Sequence, residues 1–274
     1  MIIIKNDREI ELIARGGKIL ANILDELEKA IKPGTSTLYL ENLAVRLIKE
    51  AGGRPSFLGY RSSVNERPFP TALCTSINDE VVHAPAIPPR ILKEGDIIGI
   101  DIGMEYPLRQ YKKPDWPLNP HSKEGGYFTD MARTVAVGKI SNDLKKLIQV
   151  TKKSLDLAIK IIRPNISLRE IGRVIQGYVE KNGFAVVRDL VGHGVGVKVH
   201  EDPQIPNYFI PDKSYDIKLK PGMVIAVEPM VNMGDWRVKF EADRFAIKTI
   251  DGKPSAHFEH TIAVTKDGCL VLTK

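Results

Sequence analysis

Two stretches of this 274-residue chain repeat one another. Leu92-Lys93-Glu94-Gly95-Asp96-Ile97-Ile98-Gly99-Ile100-Asp101 is matched, 127 residues further on, by Leu219-Lys220-Pro221-Gly222-Met223-Val224-Ile225-Ala226-Val227-Glu228. Each is a turn, then a short apolar run with strand character, then one carboxylate. An acid closing a buried strand is costly to desolvate unless a cation or strong donors meet it. The same arrangement in duplicate predicts two half-domains delivering acids to a shared centre, which is the outline of a metal site.

The duplication extends to the helices. Ile10, Ile13, Leu20, Ile23, Leu24, Leu27 and Ile31 fall on helical spacing that Lys32-Pro33-Gly34 stops, and Leu40, Leu43, Ala44, Leu47 and Ile48 mark a second helix ended by Ala51-Gly52-Gly53. Leu144, Leu147, Leu155 and Ile161 start the second half in the same way. Ser167-Leu168-Arg169-Glu170 reads as a capping box opening a fourth helix, which ends at Lys181-Asn182-Gly183. Pro33 and Pro164, Ser36 and Ser167, and Gly52 and Gly183 are each 131 apart.

Short turns rather than crossover helices separate the strands, so antiparallel pairing is expected. The predicted fold class is α/β of the α+β kind: a central antiparallel sheet with helices on its outer face. Its pseudo-two-fold duplicated halves cover about 7–139 and 140–272 of a single catalytic domain, 1–274. One segment, about 104–126, breaks the symmetry. It is rich in proline, basic and aromatic residues and has no period, so it reads as a surface loop, with a binding flap as the alternative.

Five residues carry the chemistry: Asp101, Asp130, His193, Glu228 and Glu259. Asp130 and Glu259 both enter apolar strands, in Thr129-Asp130-Met131-Ala132 and Phe258-Glu259-His260-Thr261. Each half thus supplies one acid that ends a strand and one that begins a strand. A lone strand-end acid is usually solvated or salt-bridged, but four crowded carboxylates resist ionisation until divalent cations join them. Bridging carboxylates place two metals roughly 3.5–4 Å apart around one activated water.

Gly192-His193-Gly194-Val195-Gly196-Val197-Lys198-Val199-His200 puts two histidines seven apart, on opposite faces of a regular strand, while its glycines permit a bend. His83, in Asn78-Asp79-Glu80-Val81-Val82-His83, is the counterpart of His200. His121, His257 and His260 have no supporting context and read as structural or exposed. Cys74 reads as a small apolar residue rather than a nucleophile.

Composition excludes several classes. With 43% hydrophobic and 27% charged residues the chain is an ordinary globular protein. No apolar run approaches the roughly 18 residues of a spanning helix. The start, Met1-Ile2-Ile3-Ile4-Lys5, lacks a secretory pattern. Two cysteines, Cys74 and Cys269, in no metal-type spacing, point to the reducing cytoplasm. The net charge of +6 is spread along the chain, which predicts general attraction to anionic surroundings such as the ribosome, with no dedicated nucleic-acid site and no membrane partner.

In order, Ser76-Ile77-Asn78-Asp79-Glu80-Val81-Val82-His83, Ile100-Asp101, Thr129-Asp130, Gly192-His193-Gly194, Val199-His200-Glu201, Val227-Glu228-Pro229-Met230-Val231 and Phe258-Glu259-His260-Thr261 strongly resemble the motifs of type I methionine aminopeptidases, over about residues 5–272. The resemblance implies the pita-bread fold and a monomer that removes methionine from the N-termini of nascent polypeptides with a small second residue. It implies two divalent ions, bridged by Asp130 and Glu259, with His193 and Glu228 completing one site and Asp101 the other. Mn, Fe(II), Co or Zn all suit such a donor set. It further implies that His200 stabilises the tetrahedral intermediate, that His83 contacts the scissile amide, and that Glu228 shuttles the proton.

Tyr60, Cys74 and Trp236 would line the methionine pocket, while Phe57 and Val199 depart from the family's common choices, as does the long 104–126 segment. A proline-directed aminopeptidase of the same fold and a metal-free binding protein are the competing readings.

Overall fold

The computed structural model describes residues 1–61, 63, 66–242 and 245–274. Four helices form where the periodicity places them: α1 (Asp7–Ala30), α2 (Thr37–Glu50), α3 (Asn142–Ile161) and α4 (Leu168–Lys181). Asn6 opens α1 with a full capping box, its side chain accepting from Arg8 N and Glu9 N while Glu9 reaches back to Asn6 N. The capping box expected at Ser167–Glu170 is instead a plain N-cap. Ser167 accepts from Arg169 N, and the Glu170 carboxylate turns to Arg173 on the surface of α4.

Nine strands form the main sheet: β1 (Arg54–Pro55), β2 (Leu73–Ile77), β3 (Ile97–Tyr106), β4 (Tyr127–Ala136), β5 (Gly192–Gly194), β6 (Glu201–Ile205), β7 (Val224–Val227), β8 (Glu259–Val264) and β9 (Cys269–Val271). Their order is β1-β3-β4-β8-β7-β5-β6, with β2 also on β3 and β9 on β8, and every pairing is antiparallel, as expected.

The repeat is visible in this order. β3–β4 of the first half answers β7–β8 of the second, and the halves join where β4 pairs β8, at Ala132↔Glu259 and Met131↔His260. A lesser contact repeats too: the bridge Ser36↔Ile91 recurs as Ser167↔Lys218.

The helices lie over the outer face. α1 and α2 bury Leu20, Leu24, Leu27, Leu40 and Ile48 against Ile98, Ile100 and Ile102 of β3, and α3 and α4 bury Leu147, Leu155, Ile171 and Ile175 against Ile225 and Ile262. The two largest cores thus lie mainly one to each half, while a third cluster, with Cys74, Phe128, Val195, Val224, Ala226 and Ala263, spans both halves of the shared sheet.

Glu41 ties α2 to this frame. Its buried carboxylate accepts from Ala72 N (2.7 Å) and Leu73 N (2.9 Å) at the start of β2. Burial raises its pKa, and the two backbone donors hold it down in part. Glu41→Ala leaves both N–H groups buried and unpaired, which costs roughly 2–4 kcal/mol. Urea denaturation is expected to show the midpoint falling by that equivalent with an unchanged slope.

Candidate active site

The acids sit on or just after four neighbouring strands, though Asp101 does not close its strand nor Asp130 open its own, because the β3–β4 pairing runs on past Asp101 to Tyr106↔Tyr127. Asp101 lies on β3, Asp130 on β4, Glu259 begins β8, and Glu228 follows directly on β7. Thr261 pins the junction: its hydroxyl donates to Asp130 O (2.7 Å) and accepts from Asp130 N (3.0 Å). His193 stands on β5 beside Ala226 of β7. Its Nε2 lies 3.5 Å from Glu228 Oε1 and 3.9 Å from Asp130 Oδ2. Its Nδ1 faces Gly194 O at 2.9 Å, and because a carbonyl only accepts, Nδ1 carries a proton. In the neutral ring Nε2 then presents a lone pair to two carboxylates, the orientation of a metal ligand.

The donor set fits a divalent cation. Ligand atoms of Asp130, His193 and Glu259 all lie within 4.8 Å of one another. Asp101 Oδ1, Asp130 Oδ1 and Glu259 Oε1 are buried without a hydrogen-bond partner. Orphaned carboxylate oxygens converging from separate strands are costly in a bare protein and are satisfied by coordination. The ion-free electrostatics show that cost. Burial, opposed by His257 and aided by Glu228, lifts Asp101 to about 6. Burial reinforced by the neighbouring acids holds Asp130 and Glu259 well above the usual carboxylate range, and burial, opposed by His193, takes Glu228 to about 7.

Over the acids opens a cavity of about 740 Å³, whose lining includes Asp101, Asp130, His193, Glu228, Glu259, His83 and His200. The two histidines seven apart do converge, with His193 and His200 ring centroids 4.3 Å apart. The chain turns back after β5 through Gly196, whose φ of +127° suits glycine. His200 Nδ1 meets the Tyr60 hydroxyl at 2.7 Å. His83 and His200 both expose surface to the cavity, whose protein walls still take water away from the rings. Desolvation, with neighbouring histidines, lowers His83 to about 4 and His200 well below its usual value, so both rings are neutral at neutral pH.

The apolar wall is made by Phe57, Tyr60, Phe69, Cys74, Val82 and Phe245, with Phe69 and Phe245 edge to face at 5.4 Å. Cys74 is paired with Asp101 across β2–β3, and burial beside the acids raises its thiol well above the usual range, which makes it an apolar surface rather than a nucleophile. Trp236 is not among the lining residues. Its ring carries the Arg188 guanidinium at 5.1 Å, and Phe245 takes the aromatic position expected of it. The segment 107–126 lines none of the cavity, so it is not the flap that the sequence allows as an alternative.

His257, read from the sequence as structural or exposed, lies buried behind Glu228. It is 3% exposed, its Nε2 is unpartnered and stands 3.6 Å from Glu228 Oε2, and Thr134 Oγ1 fixes its backbone on both sides. Glu228 therefore has an imidazole at each oxygen. Two-residue periodicity back from Glu259 was the available signal.

Comparison with known proteins gives the family. The model of metallopeptidase family M24 matches residues 11–111 and 121–266. The chain is 46% identical over 275 residues to methionine aminopeptidase 1 of Bacillus subtilis, with 100% of each chain covered. The crystal structure of methionine aminopeptidase from Thermotoga maritima is similar with a TM-score of 0.87 at 40% identity, again covering 100% of both. The prolidase of Pyrococcus horikoshii, at 22% identity, shares the fold with a TM-score of 0.72 over 99% of this chain and 63% of its own.

Proposed function

The chain belongs to metallopeptidase family M24, with the pita-bread fold, and on that premise we propose how its central cavity works. The activity is that of a metalloaminopeptidase, hydrolysing the N-terminal methionine from peptides and nascent proteins. The whole chain, 1–274, acts as one catalytic domain. The single observation that carries the site assignment is the convergence of His193 and unpartnered acid oxygens from both halves beneath one cavity.

Asp130 and Glu259, on the two strands that join the halves, would hold both of two divalent ions. His193 and Glu228 would complete one position and Asp101 the other. When bound, such ions polarise the first peptide carbonyl and activate water. Oxygen donors with one imidazole suit Mn, Fe(II), Co or Zn.

The remaining steps belong to side chains. Burial keeps the Tyr60 phenol protonated, so it donates to His200 Nδ1, and His200 Nε2–H points its donor at the oxygen that gathers charge in the transition state. His83, also neutral, contacts the scissile amide. Glu228 takes the proton released on attack and returns it to the leaving amine. Phe57, Tyr60, Phe69, Cys74 and Phe245 receive the methionine side chain by apolar fit, worth roughly 1–3 kcal/mol per methylene against a wrong residue. A small second residue is preferred. The protein works as a monomer in the cytoplasm, supported by two free cysteines, with its net charge of +6 favouring ribosome proximity.

The test is methionine release from a Met-Gly peptide by chelator-stripped protein given Mn, Fe(II), Co or Zn, beside Leu-Gly and Ala-Pro peptides and the Asp101→Ala variant. Metal-dependent cleavage of Met-Gly alone, lost in the variant, is the expected result. Cleavage of Ala-Pro in its place would move the chain to proline-directed hydrolysis.

A further inference from the structure

The connection between β3 and β4, residues 107–126, is unexplained by the reaction, and its residues 112–120 fall outside the match to the family model. It is nonetheless firmly built. Glu105, fully buried at the end of β3, accepts from Arg54 Nε (2.5 Å), from Gly126 N (3.0 Å) and from the Ser122 hydroxyl. On the outer side Arg15 and Lys113 flank the Trp116 ring at 5.3 and 5.4 Å, and Arg8 donates to Asp115 O. These contacts fasten the segment to α1 and to β3.

Asn119 lies at its heart, 0% exposed. Its amide Nδ2 donates to Gly126 O (2.7 Å) and, across 78 residues of sequence, to Val197 O (2.8 Å). Its Oδ1 accepts from His121 N (3.0 Å), and its own N–H donates to Gly125 O (2.9 Å). Every polar group of the side chain is used. A buried amide with this pattern joins two pieces of backbone that have no ladder between them.

Val197 belongs to the turn that carries His200. That turn is held at almost every residue. Val195 N donates to Val224 O, Gly196 O accepts from Phe128 N, and Val197 N and Lys198 N donate to Glu201 Oε1. Glu201 is locked in turn by a buried ion pair with Lys5 at 2.5 Å. The bond from Asn119 braces the turn from the side opposite the Glu201 anchor, three residues before His200.

We propose that residues 107–126 are a clasp for this turn and that Asn119 is a positioning residue for His200. The proposal rests on the reading of His200 as the donor to the developing oxyanion. A misplacement of about 1 Å at such a donor costs up to a hundred-fold in rate. Catalytic donors set on turns need a supporting shell that strands provide for themselves, and here the insertion provides it.

A double-mutant cycle on the metal-loaded protein tests the clasp: Asn119→Ala, His200→Ala and both together, assayed on the Met-Gly peptide with metal affinity measured by calorimetry. Asn119→Ala is expected to lower kcat about ten-fold or more, leaving KM and metal affinity as in the parent. In the His200→Ala background the same change should cost less than about two-fold, because the group it positions is gone. An equal loss in both backgrounds, parental kcat in Asn119→Ala, or a loss traced to weaker metal binding would each overturn the clasp. Parental turnover in His200→Ala would overturn the reading of His200 and the clasp with it, whereas an impaired His200→Ala beside an unimpaired Asn119→Ala overturns the clasp alone. Should Asn119→Ala not fold, Asn119→Ser, which keeps one donor, enters the same cycle with a smaller expected loss.

Discussion

Asp130→Asn is expected to lose about a thousand-fold or more in kcat/KM on a Met-Gly peptide, and yet to unfold at a higher temperature than the parent when both are stripped of metal. The first effect follows from position. Asp130 is on the strand where the halves join, its Oδ2 faces His193, and its Oδ1 has no hydrogen-bond partner among the described residues. An amide at the same place keeps the shape but loses the charge that would hold a cation between the halves. A thousand-fold corresponds to about 4 kcal/mol of transition-state stabilisation, a modest demand on a group that would touch both ions.

The second effect has the same cause with the opposite sign. Burial beside Asp101 and Glu228 holds the Asp130 carboxyl well above its ordinary range, so near neutral pH the ion-free fold must either take up a proton or bear a buried charge. Asparagine removes that cost. Thr261 bonds only the backbone of residue 130, so the strand has no reason to shift. The gain should read as a higher melting temperature for the variant in chelator. Calorimetry of both proteins in chelator reads it. A variant that melts lower than the parent would mean the acids do not strain the empty site, and retained turnover would remove Asp130 from the centre.

Why some of this was legible in the sequence and some was not has a physical reason. The helices announce themselves because Leu20, Leu24 and Leu27, or Ile171 and Ile175, recur with the period of one buried face. The acids announce themselves because a carboxylate set after an apolar run is rare enough, and twice over at a fixed offset, to need a partner, even though the strand of Asp101 runs on past it. Position within a wall has no such signature. Trp236 and Phe245 lie nine residues apart in a stretch without period, and only tertiary packing sends Phe245 to the cavity and Trp236 to Arg188. His257 was within reach of the two-residue rule but is not flanked by glycines as His193 is. The Asn119–Val197 bond spans 78 residues and depends on a turn geometry that local propensity does not specify. The sequence thus marks residues whose chemistry is costly, and is silent where an ordinary residue is merely well placed.

Stability of the metal-free protein is expected to fall as pH rises from about 6.5 to 8, while the metal-loaded protein keeps its stability over the same range. The carboxyls of Asp101, Glu228, Asp130 and Glu259 hold protons in the fold that the unfolded chain has lost above about pH 4. A raised folded pKa means stability that is complete below the unfolded value and is lost as pH climbs through the folded one. Those folded values are about 6 for Asp101 and about 7 for Glu228, with Asp130 and Glu259 well above the usual range.

The desolvated histidines act in the other direction. His83, His200, His257 and His260 are all lowered, chiefly by desolvation, so the unfolded chain binds protons that the fold refuses, and they add stability as pH rises through about 6.5. Below that pH the two groups oppose each other. Above it the unfolded histidines lose their remaining protons within about one pH unit, and the acids increasingly set the slope. Divalent ions take the place of those protons in the folded protein alone, so their stabilisation must grow as the acids ionise. Melting temperatures at about pH 6, 7 and 8, in chelator and in Mn, give the comparison directly. The expected result is a metal-induced increase that widens with pH. An increase that is constant, or a metal-free protein that gains stability above pH 6.5, would mean that the four acids do not share one ion-binding centre, and the assignment of Asp101, Asp130, Glu228 and Glu259 as ligands would fail together.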